Sequence, residues 1–342
     1  MPRTAGMVAL ACSWLLTSSA SAWNRGEAKR FATLPAGTAH PEGIAVDSGG
    51  NVYVADFDVS KSAGPGQLVV FDPSGKNARV VNVAGSSNLL LGLDFHRVGS
   101  TVELLVIDFG GQKVLRVDPG TGASSIFTTI PGGAAAGPNA LTFDGAGNVY
   151  ISDSFQGVIW QTGPTGGAAT AWASSPLLTT TGVPPFGANG IAFNKRGTAM
   201  FVANTGNDTV VRIPVATKVA EVFVNSINGA DGLAIDDQDN LWVVANQADE
   251  IVVVEPTEGR AIAKLGDFNG LKNGAPVGLL FPASIAFHGE WVYISNLALD
   301  LRLFNPAFDA VDSAWAAQVT RHTVARIPKR ILGTGGGEDD DD

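Results

Sequence analysis

The sequence predicts an all-β fold, namely a six-bladed β-propeller with four antiparallel strands in each blade. Three observations support this prediction: a short motif occurs six times, a strand–turn–strand pattern follows the copies, and one additional strand precedes the first copy. The composition agrees, because 42 of the 342 residues are Gly and only 16% are charged. Such a composition is typical of many short strands joined by tight turns.

The repeated motif combines a polar or small residue with a short apolar strand. Its first copy is Pro41-Glu42-Gly43-Ile44-Ala45-Val46-Asp47. The related segments are Leu91–Phe95, Pro138–Asp144, Ala188–Phe193, Ala230–Asp236 and Ala283–Phe287. Counted from Glu42, with Ser284 taken as the last member, the steps are 49, 48, 50, 42 and 53 residues. Repeats of this length are typical of propeller blades.

The residues after the motif predict the rest of each blade. In the first repeat a polar turn at Ser48–Asn51 leads into an alternating strand at Val52–Ala55. A third strand, Gln67–Phe71, ends at a proline turn, and a polar-edged fourth strand follows at Ala78–Val83. Four antiparallel strands within one period describe a blade.

The two ends of the repeat array indicate how the ring closes. The sixth repeat contains a third strand at His322–Ile327 but no fourth strand, whereas Lys29–Leu34 resembles the fourth strands of other repeats. We therefore expect Lys29–Leu34 to complete blade six, which removes an exposed sheet edge. Three insertions, at 172–185, 266–281 and 297–320, interrupt the pattern, and long ordered loops are usually functional.

The N-terminal segment predicts export. Arg3 precedes an apolar run at Met7–Thr17 that is too short to span a bilayer, and Ala20-Ser21-Ala22 is a small-residue cleavage site. We expect residues 1–22 to be a signal peptide, with a secreted or periplasmic mature protein. A buried N-terminal helix and lipidation at Cys12 are the alternatives.

The remaining domain assignment and the charge limit the partners. We expect the propeller to span residues 23–332 and residues 333–342 to form a disordered Gly-rich and acidic tail. The net charge is −10, and no basic cluster is present, which argues against nucleic acid and anionic membranes as partners. The only cysteine lies in the leader, so thiol catalysis is excluded after cleavage. We expect a monomer without a membrane span that acts on a small molecule.

One position of the repeat carries most of the candidate chemistry. In a propeller the first strand of each blade lines the central channel, and the residue before it lies at the channel mouth. Four of the six residues at this position offer oxygen ligands: Glu42, Asn139, Asn189 and Asp231. Such a set suits Ca²⁺, and less strictly Mg²⁺ or Mn²⁺, while Zn²⁺ would favour His or Cys. The alternative is that these residues only cap turns.

A second ring of polar residues follows the second strands, on the same predicted face. Its members are Asp56, Asp108, Asp153, Asn204, Asn246 and Asn296. Together with Ser284 and His40, these residues could orient metal ligands from behind, or they could satisfy the hydrogen-bonding groups of the loop backbone.

We expect His96 and His288 in solvated turns. Trp160, Trp172, Trp242 and Phe186 fit either a blade core or a pocket wall.

From about Lys29 to Ile327 the chain resembles the gluconolactonase/regucalcin-like family, six-bladed propellers that include diisopropylfluorophosphatase and are related to NHL-repeat proteins. The resemblance implies that Glu42, Asn139, Asn189 and Asp231 hold a catalytic calcium. It also makes Asp231 a candidate base or nucleophile in the hydrolysis of sugar lactones or phosphotriesters.

The sequence departs from the family at two points. Phe287 stands where the phosphotriesterase relatives place a histidine ligand of a second calcium, so we expect no second calcium. Leu91, Phe186 and Phe281 are expected around the channel mouth, which indicates a more apolar substrate than a sugar acid.

Two main functional hypotheses follow. The first is a secreted, calcium-dependent hydrolase of a lactone or related ester. The alternative is a non-enzymatic NHL-type propeller that binds a protein or glycan. A strictosidine-synthase-like condensing enzyme is a third option, but its catalytic Glu has no match here.

Overall fold

The computed structural model describes residues 26–309 and 312–331, and it confirms the six-bladed propeller. Six antiparallel sheets of four strands each surround a central channel, and a two-stranded hairpin lies outside them. The expected signal peptide, its cleavage site and the acidic tail lie outside the described residues. Among the residues described, no helix is both long and apolar enough to cross a membrane.

The strands follow the predicted pattern closely. In chain order, the closing strand and blades one to three comprise β1 Lys29–Thr33; β2 Pro41–Val46, β3 Val52–Asp56, β4 Gln67–Phe71, β5 Ala78–Asn82; β6 Leu90–Val98, β7 Thr101–Asp108, β8 Lys113–Val117, β9 Ser124–Thr129; β10 Pro138–Phe143, β11 Val149–Asp153, β12 Val158–Gly163 and β13 Gly166–Ser174. Blades four to six continue with β14 Ala188–Phe193, β15 Ala199–Asn204, β16 Thr209–Pro214, β17 Glu221–Asn225; β18 Ala230–Ile235, β19 Leu241–Ala245, β20 Glu250–Val254, β21 Ala261–Leu265; β24 Pro282–His288, β25 Trp291–Asn296 and β26 Thr323–Pro328.

The insertions contain the remaining elements. A hairpin of β22, Phe268–Lys272, and β23, Ala275–Gly278, fills most of the second insertion. The short helices are the 3₁₀ turns Gly133–Ala135, Pro176–Leu178, Asn246–Ala248 and Leu301–Leu303 and the α-helical turn α1, Ser313–Ala316. The first insertion is shorter than expected, because its first three residues belong to β13.

Blade six is closed by the N-terminal strand, as predicted. β1 pairs antiparallel with β26, with Lys29 opposite Arg326 and Thr33 opposite Thr323. The sheet therefore has the order β1-β26-β25-β24. Phe31 and Leu34 are buried with residues of blade one and blade six, among them Phe71 and Tyr293. The strand thus joins the two ends of the chain and also seals the contact between the first and last blades.

Recurring polar clusters hold the turns between the first and second strands of several blades. The carboxylate of Asp47 accepts hydrogen bonds from the backbone and side-chain amides of Asn51 and from the hydroxyl of Tyr53. The same arrangement occurs at Asp144 with Asn148 and Tyr150, and at Asp236 with Asn240 and Trp242. These aspartates therefore stabilise turns at the end of the channel away from the candidate site.

Glycines let the first strands approach one another around the channel. A Cβ added at Gly43, Gly190 or Gly232 would collide with the backbone carbonyl of Leu91, Asp231 or Ala283, respectively. Each of these carbonyls belongs to the first strand of the next blade. Because only glycine permits this approach at these three positions, the first strands that carry Glu42, Asn189 and Asp231 come close to their neighbours, whereas blade three has Ala140 at the same place.

Candidate metal centre

The four predicted ligands meet at one cavity of about 40 Å³ at the end of the channel. Glu42, Asn139, Asn189 and Asp231 line it, and each is at most 5% exposed. They come from blades one, three, four and five. The rest of the wall is mainly apolar and includes Leu91, Phe186 and Phe281, as expected from the sequence.

A β-bulge places each ligand at the mouth. The pairing between the first and second strands shifts between Pro41 and Ile44 in blade one, and between Pro282 and Ile285 in blade six. By this register the residue of blade six equivalent to Glu42 is Ala283. The assignment of Ser284 to the ligand position is therefore wrong by one residue. Ser284 instead lines the wider part of the channel.

Glu42 and Asp231 form a buried pair of acids. Glu42 Oε2 and Asp231 Oδ1 are buried, and neither has a hydrogen-bond partner in the described part of the chain. Burial raises the pKa of Glu42 well above its usual value, and the negative charge of Asp231 raises it further. Burial also raises the pKa of Asp231, although hydrogen bonds from Asn246 and Asn189 oppose the shift. Two such carboxylates in one cavity require a proton or a cation between them.

The two asparagines are oriented by hydroxyl groups. Asn139 Nδ2 donates to Ser154 Oγ at 3.1 Å, and Asn189 Nδ2 donates to Thr205 Oγ1 at 2.9 Å. Each amide nitrogen is thereby held by the protein, which leaves the carbonyl oxygen as the ligand end of the side chain. Sequence reasoning did not identify Ser154 and Thr205, although each directly follows a member of the predicted second ring.

In the second ring, only Asn246 is seen to hydrogen-bond a ligand. Asn246 Nδ2 donates to Asp231 Oδ2 at 2.9 Å, so it leaves the other carboxylate oxygen for the cavity. Ser295, which sequence reasoning did not identify either, donates from its hydroxyl to the backbone carbonyl of Glu42 and so fixes the strand that carries this ligand.

The other ring members mainly hold loops. Asp153 accepts from the backbone amides of Gly137, Phe155 and Gln156. Asp56 accepts from Ala39 N, Asp108 from Ser87 N and Gly111 N. Asn204 donates to the carbonyls of Leu177 and Thr179, and Asn296 to that of Gly278. The alternative reading, that the ring satisfies loop backbone, fits these residues better.

The histidines contribute to packing rather than to the cavity wall. His40 stacks edge-on against His322, with ring centroids 4.5 Å apart, and its Nδ1 lies 3.2 Å from Leu297 O. Burial lowers the pKa of both imidazoles, to about 3 for His322. The prediction that His96 lies in a solvated turn is wrong, because His96 is fully buried in β6 between Glu103 and Gly147.

Of the aromatic residues that fit either a blade core or a pocket wall, Trp172 and Trp242 belong to blade cores, whereas Phe186 lines the cavity.

The donor set fits a hard divalent cation. Two carboxylates with unpartnered oxygens and two oriented amides supply oxygen ligands of the type that Ca²⁺ prefers, and the cavity leaves room for water. The described residues contain no cluster of three or more His, Cys, Asp or Glu side chains placed to hold a metal, so the asparagine carbonyls would have to complete the coordination. Without thiolates or imidazoles, the site is poorly suited to Zn²⁺.

The buried acids predict that calcium stabilises the protein more at high pH than at low pH. The pKa values of Glu42 and Asp231 in the folded protein are both raised. Without a cation, the two acids therefore contribute most to the free energy of unfolding below their unfolded pKa values of about 4. That contribution is lost as the pH rises through their folded-state pKa values. Ca²⁺ would bind only the deprotonated form of the two acids. We expect scanning calorimetry to show a larger calcium-induced rise in Tm at pH 8 than at pH 5. The control is the double variant Glu42→Gln/Asp231→Asn, and an equal rise at both pH values in the wild type would contradict the prediction.

Models of known protein families match two parts of the chain. Residues 104–266 match the family described as SMP-30/Gluconolactonase/LRE-like region, and residues 38–61 match the NHL repeat. No curated protein matches the chain.

Solved structures share the fold at low sequence identity. A luciferin-regenerating enzyme is 17% identical with a TM-score of 0.64, and the alignment covers 89% of this chain and 95% of that one. A calcium-binding protein, regucalcin, from Agrobacterium tumefaciens strain C58 is 16% identical with a TM-score of 0.63, covering 90% and 95%. A streptogramin B lyase is 17% identical with a TM-score of 0.56, covering 79% and 80%. The chain therefore contains an SMP-30/Gluconolactonase/LRE-like region and an NHL repeat within one six-bladed propeller.

Proposed function

We propose that this protein is a calcium-dependent hydrolase of a lactone or related ester. The observation that carries the proposal is the buried pair Glu42 and Asp231, whose unpartnered oxygens share one cavity with two oriented amides. The family relationship supports hydrolysis of a lactone as the reaction class. The likeness to regucalcin, a calcium-binding protein, supports the choice of metal.

Glu42, Asn139, Asn189 and Asp231 would hold the cation. When bound, the cation supplies positive charge that polarises a substrate carbonyl and stabilises the negative charge that develops on its oxygen. Asn139 and Asn189 act by fixed orientation, because Ser154 and Thr205 hold their amide nitrogens. The apolar wall keeps bulk solvent out of the cavity and so strengthens the charge interactions inside it.

Asp231 is the residue placed to move a proton. Asn246 holds its Oδ2, and its Oδ1 is available. As a base, Oδ1 takes a proton from water while the water oxygen bonds to the carbonyl carbon. The bond from that carbon to the ring oxygen then breaks, the ring oxygen receives the proton, and a hydroxy acid leaves. In the nucleophilic alternative, Oδ1 bonds to the carbonyl carbon itself, the bond from that carbon to the ring oxygen breaks, and the ring oxygen takes a proton from water. The resulting mixed anhydride is then hydrolysed by attack of the hydroxide on the carboxyl carbon of Asp231, which restores the carboxylate and releases the hydroxy acid.

Export is part of the proposal, since residues 1–22 have the pattern of a signal peptide. N-terminal sequencing of protein recovered from the medium or periplasm is expected to begin at Trp23. An intact Met1 on exported protein would contradict cleavage.

The test of the function combines metal analysis with a substrate panel. Purified protein is expected to bind about one Ca²⁺ per chain and to hydrolyse at least one lactone or phosphotriester, and to lose that activity with a chelator until Ca²⁺ is restored. A protein that binds no divalent cation and hydrolyses none of the panel would overturn the proposal. That outcome would favour the non-enzymatic propeller that binds a protein or glycan.

A further inference from the structure

Five phenylalanines from separate loops form a continuous cluster beside the cavity, here named the aromatic wall. They are Phe57, Phe109, Phe155, Phe186 and Phe304. Neighbouring ring centroids lie 5.6 to 6.4 Å apart, from the Phe155–Phe186 pair to the Phe57–Phe304 pair. Phe109 is in contact with three of the other rings, at 5.7 to 6.2 Å. Such spacings are those of packed aromatic pairs.

The aromatic wall extends from the surface to the candidate metal centre. Phe155 and Phe304 are 45% and 46% exposed, whereas Phe57 is only 3% exposed. Phe57 and Phe186 line the same cavity as Glu42 and Asp231. The exposed apolar surface is therefore continuous with the acidic pair.

Backbone hydrogen bonds hold the aromatic wall in place. Phe57 N donates to His40 O at 3.1 Å, and Phe109 N donates to Leu89 O at 3.0 Å. Phe155 N donates to Asp153 Oδ1 at 3.1 Å. Of the aspartates in the predicted second ring, Asp153 thus holds the backbone of the phenylalanine two residues after it. These bonds fix the backbone position of three of the five residues.

The remaining cavity wall has the same character. Leu297, Leu299 and Leu301 line the cavity together with Phe281. The charged residues lining the cavity are Glu42 and Asp231, and its other polar residues are Asn139, Asn189, Thr205 and Asn246. A sugar lactone would leave several hydroxyl groups against this wall without partners, which costs free energy for each one. An alkyl or aryl group would instead be transferred from water to an apolar surface.

We propose that the aromatic wall is the binding subsite for an apolar substituent, so that the substrate is a lactone or ester carrying an alkyl or aryl group. This inference rests on the proposed function. The reacting carbonyl enters the cavity while the substituent extends along Phe186 and Phe155 toward the surface. Since a cavity of about 40 Å³ is far smaller than the roughly 300–1,000 Å³ of ordinary ligand sites, the wall side chains must move apart to admit the substrate.

Steady-state kinetics on a homologous series tests this subsite. With γ-lactones from γ-butyrolactone to γ-dodecalactone, kcat/KM is expected to rise about fourfold for each CH₂ that is buried, the equivalent of about 0.8 kcal/mol. The variants Phe155→Ala and Phe304→Ala are expected to flatten this dependence of kcat/KM on chain length. The matched control is Ile126→Ala, which removes an apolar side chain that is 60% exposed on β9 and should keep the full dependence. Hydrolysis without chain-length dependence, or with equal dependence in all variants, would overturn the subsite.

A binding measurement separates this inference from the hydrolase proposal. Isothermal titration calorimetry with Ca²⁺ present is expected to show that 5-hexylpyrrolidin-2-one, a lactam that keeps the ring carbonyl and the alkyl chain, binds the wild type and the Ile126→Ala control. Binding should weaken at least about 10-fold in the Phe155→Ala/Phe304→Ala double variant. If this pattern occurs but no lactone or ester is hydrolysed, the subsite stands and the hydrolase proposal fails. If the double variant changes only self-association or capture of a protein partner and leaves lactam binding unchanged, the aromatic wall is a protein interface and the subsite is wrong.

Discussion

Replacing Asp231 by Asn is expected to lower kcat by about 10²–10⁴-fold, the range typical of losing a general base. The change is nearly isosteric, and an amide oxygen at this position can still accept the hydrogen bond from Asn246. The cavity shape is therefore kept, while the oxygen that takes the proton from water is no longer basic. Loss of one negative charge should also weaken cation binding modestly.

Glu42→Gln is the matched comparison, because it removes the same charge from the other side of the pair. Glu42 is assigned no proton transfer, so its replacement should act mainly through cation affinity. We expect a loss of affinity of at least the ~10–100-fold that follows loss of an outer partner of a metal ligand. Activity of Glu42→Gln should therefore return at high Ca²⁺ concentration, whereas activity of Asp231→Asn should not.

The measurement is a calcium titration of kcat for the wild type and both variants, with calorimetry to determine the Kd of the cation. Equal recovery of both variants at saturating Ca²⁺ would leave Asp231 as a ligand without a catalytic role. Full activity of both variants in buffer that contains a chelator would show that the candidate metal centre has no role in the reaction. A single turnover in H₂¹⁸O, followed by mass spectrometry of the peptide with Asp231, would show label in the carboxylate only for the nucleophilic route.

The blade pattern and the meeting of four candidate oxygen ligands at one cavity could be predicted because they repeat. Alternating strands and turn residues occur at corresponding positions in successive repeats, so the assignment of one repeat supports the assignment of the next. The ring closure follows because repeat six lacks a fourth strand and the N-terminal part of the chain has one additional strand. The error at Ser284 has a local cause. In blade six the equivalent position is Ala283, and a small apolar residue carries no chemical signal that would mark the correct register.

The remaining features of the site depend on contacts between distant segments. Ser154 and Thr205 look like ordinary loop residues until the fold places them beside Asn139 and Asn189. His96 was misjudged because the β6–β7 hairpin is longer than the other first hairpins, so that His96 pairs within the sheet opposite Glu103. The aromatic wall combines loops of three blades with Phe186 from the β13–β14 connection and Phe304 from the third insertion, and no short sequence window contains it.

Removing the closing strand is expected to destabilise the protein strongly. A chain that lacks residues 23–35 loses all the hydrogen bonds between β1 and β26 and exposes the edge of blade six. It also loses Phe31 and Leu34, which are 8% and 7% exposed. Loss of a buried side chain of this size costs about 2–5 kcal/mol in other proteins.

Phe31 explains why the effect should reach beyond one blade. Its ring lies edge-on against Tyr293 of blade six at 4.9 Å and against Phe71 of blade one at 6.2 Å. The guanidinium of Arg326 lies 5.6 Å from the ring centre. Deleting the strand therefore removes the packing that joins the first blade to the last, as well as the fourth strand of blade six.

Thermal unfolding compares the chain that begins at Trp23 with the chain that begins at Ala36. We expect the shorter chain to melt at least roughly 10 °C lower, since each kcal/mol shifts Tm by about 2–4 °C in domains of 150–250 residues, or to fail to fold cooperatively. Phe31→Ala in the longer chain should give an intermediate loss. Lys29→Ala, which changes an exposed side chain of the same strand, should shift Tm by less than about 2 °C. If the shorter chain melts within about 2 °C of the longer one, β1 does not hold the ring closed, and the contact between blades one and six must be stable without it.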